Sequence, residues 1–66
     1  MEDFKKRLIV ERDELYDKIA KLESFIASPR FENLDKHNGD LLIAQRDAMR
    51  TYFVILNVRI SILLRE

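Results

Sequence analysis

An all-α antiparallel hairpin, two long helices with a short helical turn between them assembling as a homo-oligomeric bundle, is the fold that three observations predict. Apolar residues recur at steps of three, four or seven on both sides of a single break. That break holds the chain's one proline, Pro29, and ends at its one glycine, Gly39. Beyond it the chain carries more apolar side chains than one partner helix can cover.

In chain order, the spacing predicts a first helix over 2–27, a connection over 28–39 and a second helix over 40–66, all in one domain spanning 1–66. In the first helix Phe4, Leu8, Leu15, Ile19, Leu22 and Ile26 share one face. Its other face sets acids four residues ahead of bases, as in Glu2/Lys6, Asp3/Arg7, Glu14/Lys18 and Asp17/Lys21, the favourable order for an exposed helix surface. Ser28-Pro29 ends it, since proline disfavours the α conformation in the residue before it and has no N–H to donate. Phe31 and Leu34 in the connection suggest a short helical turn docked on the hairpin end. Asp35 is a candidate N-cap for the second helix, with Asp40 a first-turn acid if that helix starts nearer Gly39.

In the second helix 16 of the 27 residues from Asp40 to Glu66 are apolar, rising to 10 of 14 from Thr51 to Leu64. One stripe, including Leu42, Met49, Tyr52, Leu56, Ile60 and Leu63, matches the seam of the first helix. Val54, Ile55, Val58 and Ile62 remain on other flanks, which reads as an oligomer interface. Folding the helices back on one another makes positions face each other when their numbers total roughly 67 to 70. Ile19 then meets Met49, Leu8 meets Ile60, and Glu11 meets Arg59, a candidate structural ion pair fixing register, with a ligand role for Arg59 as the alternative.

Composition narrows function. The chain has 66 residues, no cysteine and a single histidine, His37, so disulfides and Cys-based zinc sites are excluded and no metal site is expected. Twelve basic and twelve acidic residues cancel, leaving no overall field to hold a polymeric nucleic acid. The longest apolar run, Tyr52 to Leu56, is far too short for a bilayer, and the opening Met-Glu-Asp-Phe-Lys-Lys offers no apolar signal segment, so a cytoplasmic chain without membrane contact is expected. No nucleophile, metal or phosphate-loop motif is present, so no catalytic residue and no cofactor are assigned and the chain is expected not to be an enzyme. A small core in so short a chain leaves self-association as the remaining stabiliser.

The candidate ligand-binding residues are Gln45, Arg46, Arg50 and Tyr52 on the second helix, with Arg30 and Phe31 at the hairpin tip. Arginine forks suit phosphates, and aromatic faces stack on bases. In a monomer the same residues read as core aromatics and solvated ends; in a symmetric oligomer copies of them converge. A helical chorismate mutase is similar only through generic features such as Arg7, Arg12, Lys18 and Arg46, and it needs a third helix.

The ordered pattern Glu11, Leu15, Ile19, Lys21-Leu22, Phe25-Ile26, Ser28, Phe31, Leu34, Leu41-Leu42, Gln45, Met49, Tyr52, Ile55-Leu56 and Arg59-Ile60 resembles a family of small tailed-phage proteins related to a crAss-like phage gene product. Gly39 and His37 depart from a stretch that is rich in Glu and Gln in that family. Such proteins are similar in size and hairpin design to phage anti-defence sponges, helical oligomers that hold the nucleotide second messengers of CBASS or Thoeris immunity. The resemblance implies an anti-defence protein of the infected bacterial cytoplasm. Its partners would be copies of itself and a cyclic oligonucleotide or cyclic ADP-ribose type molecule, bound between protomers without catalysis. A helical adaptor or inhibitor that docks on a host or phage protein is the alternative.

Overall fold

The computed structural model describes residues 3–65, in three helices: α1 (Asp3–Ile26), α2 (Pro29–Glu32) and α3 (Lys36–Arg65). Glu2 and Glu66, both included in the expected helices, lie outside the described residues. No strand occurs among the described residues. α1 and α3 run back along each other as a hairpin, and α2 sits at its closed end.

The closed end is built from short-range chemistry. Ser28 stands in an extended conformation, φ −90° and ψ 159°, as the N-cap of α2, with Pro29 at its first helical positions, where the missing N–H costs nothing. The Ser28 hydroxyl turns back and donates to the Phe25 carbonyl at 2.7 Å, so it closes α1 rather than opening α2. α3 starts at Lys36, four residues ahead of the boundary expected at Asp40. Asp35 explains the difference: its Oδ2 accepts from the Asn38 backbone N–H at 3.2 Å, satisfying an orphan donor of the first turn, and its Oδ1 accepts from the Asn38 side-chain amide at 2.7 Å. Gly39 consequently falls inside α3, where it is buried against the Phe31 ring.

Along the hairpin the buried core is Leu15, Ile19, Leu56 and Ile60, with Leu8, Met49 and Phe53 packed against it. Tyr16 and Phe53 stack across the helices with centroids 5.7 Å apart, and Arg12 donates to Asn57 at 3.4 Å, both in the expected register. The expected Glu11–Arg59 bridge does not form. Both residues are exposed, and the polar contacts that cross the hairpin are Arg12 to Asn57 and the ion pair of Arg50 with Glu23. The acid-before-base pairs Asp3/Arg7, Glu14/Lys18 and Asp17/Lys21 are likewise not closed into ion pairs; entropy and hydration keep these exposed side chains apart. The Glu2/Lys6 pair lies outside the described residues.

The shape is a rod of 48 × 14 × 14 Å with a radius of gyration of 15.0 Å, where a compact chain of this length would have about 11 Å. Its accessible surface is 5155 Å², against roughly 4,400 Å² for a folded monomer of this mass. Much of the excess is apolar: Val54, Ile55, Val58, Ile62 and Leu64 on α3 and Val10 and Tyr16 on α1 are all about half exposed or more.

Candidate functional site

α3 sorts the candidate ligand residues by face. At 3.6 residues per turn, Gln45, Tyr52 and Arg59 lie seven apart along one edge of the core stripe, while Arg46 and Arg50 lie along the other. The Arg46 edge is already engaged. Arg46 pairs with Asp47 at 3.2 Å and is largely covered, and Arg50 pairs with Glu23 of α1. On the Tyr52 edge, Gln45 is exposed and touches only the Met49 sulfur at 3.9 Å, and Tyr52 keeps 40% of its surface in solvent.

The tip pair also divides. Arg30 is exposed on α2. Phe31 is half-buried, edge-on to Phe25 at 6.3 Å and 85°, with its ring against Gly39. The ring therefore works as packing at the closed end, and its free edge is small. A single protomer thus holds the six candidates in three separate places: Arg30 and Phe31 at the tip, Gln45 and Tyr52 on one edge of α3, Arg46 and Arg50 on the other.

At the open end of the rod lies a cleft of about 270 Å³ lined by Phe4, Leu8, Arg59, Ile62 and Leu63. Its walls are almost wholly apolar and its one charged group is the Arg59 guanidinium, so it suits an apolar or flat body with an anionic end. By spacing alone Arg59 reads as the register partner of Glu11 or as a ligand group, and Phe4 and Leu8 read as seam. The signal that could have found the cleft is the seven-residue spacing of Arg59 from Tyr52 and of Tyr52 from Gln45, which puts an amide, a phenol and a guanidinium on one edge. No group of acidic, cysteine or histidine side chains able to hold a metal occurs among the described residues, and no described helix is long and apolar enough to cross a membrane.

The family model described as Sequestin matches residues 2–62, from the start of α1 through the cleft residue Ile62. The chain belongs to the Sequestin family. The match takes in α1, the turn and α3 as far as Ile62, and the family's name fits a sequestering function. No curated protein and no solved structure matches the chain.

Proposed function

We propose that this protein is a phage anti-defence protein that sequesters a nucleotide-derived immune second messenger, of the cyclic oligonucleotide or cyclic ADP-ribose type, in a pocket between protomers of a homo-oligomer in the cytoplasm of the infected bacterium. Binding alone, without catalysis, would remove the signal. The observation that carries the reading is the family match over residues 2–62. It is supported by a solvent-open edge of α3 on which Tyr52 offers a ring face and Arg59 a phosphate-binding fork beside an apolar cleft. The separation of the candidates within one chain favours a site completed by a second copy, and the excess apolar surface supplies the contact.

Isothermal titration with cyclic di- and trinucleotides and cyclic ADP-ribose isomers tests this directly. The expected result is saturable heat with one member of the panel, and a rise in melting temperature, because a ligand at 100 times its Kd adds about 2.7 kcal/mol to the folded state. Intact ligand should be recovered after denaturing the complex, whereas a converted product would make the protein an enzyme. No heat and no thermal shift across the panel would discard the nucleotide and leave the adaptor reading, in which the exposed flank of α3 meets another protein.

A further inference from the structure

α3 carries two seams, and the hairpin uses one. The unused one runs along the far side with strict 3-4 spacing: Ala44, Ala48 and Thr51 in its first half, Ile55, Val58 and Ile62 in its second. All six are exposed. Leu41 extends the spacing at one end and Arg65 at the other, both also exposed. A 3-4 repeat of this length on a helix is the pattern of a coiled-coil contact, and its residues fall at alternating a positions (Leu41, Ala48, Ile55, Ile62) and d positions (Ala44, Thr51, Val58, Arg65).

We infer that a second copy of the chain occupies this seam, with the two α3 helices antiparallel and centred near Phe53. Three features select that occupant and that direction. First, the seam is complementary to itself when reversed. In the antiparallel layers Ala44 meets Ile62, Ala48 meets Val58 and Thr51 meets Ile55, so each of these central layers joins a smaller side chain to a β-branched one and the helix spacing stays even, while the outermost layer lays the Arg65 stem over Leu41. A parallel pair would stack alanine on alanine at one end and isoleucine on isoleucine at the other, forcing the helices apart, and would set Arg65 against Arg65. Second, charge agrees: reversal brings Arg65 beside Asp40 of the other copy. Third, area agrees. The rod exposes about 750 Å² more than a monomer of its mass should, close to the ~800 Å² per partner that a stable interface covers.

The pairing also builds a site. At 100° per residue the seam and the core stripe of α3 lie about 150° apart by way of the Tyr52 edge and about 210° by the other. Both copies of α1 therefore lean to the same side and wall a trough over that edge. Its floor has Tyr52 from each copy at the two-fold axis, with Gln45 of one copy facing Arg59 of the other towards each end, where the apolar cleft of Phe4, Leu8 and Leu63 opens. The opposite side of the seam has Asp47 and Val54, and farther round it Arg46 and Arg50 are held by Asp47 and Glu23, so, among the described residues, the guanidinium group without an acidic partner on α3's flanks faces the trough. Two guanidinium groups flanking a pair of aromatic rings suit a flat ligand with two anionic groups, which deepens the nucleotide-sequestering reading. Only the ligand rests on that reading; the seam stands on the exposed repeat.

The chain has no cysteine, so disulfide mapping is free of background. Ala48→Cys and Val58→Cys are made as separate, exposed-site variants, and each is oxidised alone and then mixed. The antiparallel seam expects a covalent dimer only in the mixture, carrying one chain of each kind by mass, and loss of that product when Ile55→Asp is added to both. Ala44→Cys with Ile62→Cys reads a second layer in the same way. A disulfide formed by either variant with itself would indicate a parallel seam, and the absence of product in both mixtures would indicate that no second copy sits there; each overturns the inference. These experiments use protein without ligand. A mixed disulfide with no calorimetric heat therefore removes the nucleotide and keeps the seam, and heat without a mixed disulfide does the reverse.

Discussion

Asp35 and Gly39 set where α3 begins, and each makes a prediction. The Asn38 side-chain amide and then the Asn38 backbone N–H hold the Asp35 carboxyl below its ordinary value, because both bonds favour the ionised form. A carboxyl depressed in the folded state contributes stability above its unfolded pKa, and that contribution is lost as pH falls through the folded value. Carbon-detected titration of Asp35 should therefore find its midpoint below that of a free aspartate, with exchange of the Asn38 amide rising in the same acid range; a midpoint at or above the ordinary value would remove the cap. Gly39 is a helix-interior glycine whose added Cβ would stand 3.3 Å from Phe31 Cζ, tight but facing a ring that is only partly buried at the end of the rod. The ring can yield by a few tenths of an ångström, so Gly39→Ala is expected to stabilise by about 0.5 kcal/mol, most of the ordinary glycine-to-alanine gain in a helix. Gly39→Leu should destabilise, since a branched chain cannot share that space. A loss of stability with alanine in thermal melts would show that the Phe31–Gly39 contact is rigid.

Among the elements, α1 and α3 depend on very few shared side chains, and Leu56 is the most exacting of them. It is fully enclosed, between Leu15 and Ile19 of the opposite helix. Leu56→Ala removes buried methyl groups and leaves a void in a two-helix contact, a change that costs about 2–5 kcal/mol in cores generally. In a chain with so small a core that should unfold the hairpin or leave it molten at room temperature, as loss of the cooperative transition in circular dichroism would show; a cooperative melt within a few degrees of the parent would mean that the core lies elsewhere. The helices and their register were legible in the sequence because they depend on periodicity, which is local: Leu8, Leu15, Ile19, Leu56 and Ile60 announce their face by spacing alone. The start of α3 was legible in part: Asp35 reads as its N-cap, but Gly39 advertises a later boundary that the Asp35 cap overrides. The register pair was not legible, since Glu11 and Arg59 interrupt apolar seams at matching heights, yet a turn of a helix separates a seam position from its flank. Arg12 and Asn57, one and two residues away, make the contact instead. For the candidate site, Gln45, Tyr52 and Arg59 were legible by type and by their shared stripe, whereas the apolar cleft beside Arg59, and the separation of Arg46 and Arg50 by their own acidic partners, required the side-chain geometry.

For the whole molecule, the ratio of surface to core decides what state can be folded. A rod with four buried apolar residues among those described, and a larger accessible surface than its mass calls for, draws less from its own interior than the usual margin of about 5–15 kcal/mol. The proposed association would supply the rest, and it would leave a signature that no monomer shows. For a folded dimer in equilibrium with unfolded chains, each tenfold rise in protein concentration adds about 1.4 kcal/mol to the folded side. Spread over the unfolding entropy of two such chains, that raises the melting temperature by about 3–6 °C per tenfold. Melts recorded from micromolar to hundreds of micromolar should show this slope. Val58→Ala, a substitution at a position exposed in the single rod that would matter little there, should lower the whole series. Sedimentation at the same concentrations should find more than 7.9 kDa per particle. A melting temperature independent of concentration, with a folded species of one chain's mass, would mean that the hairpin stands alone, and the apolar flank of α3 would then have no structural reason to be there.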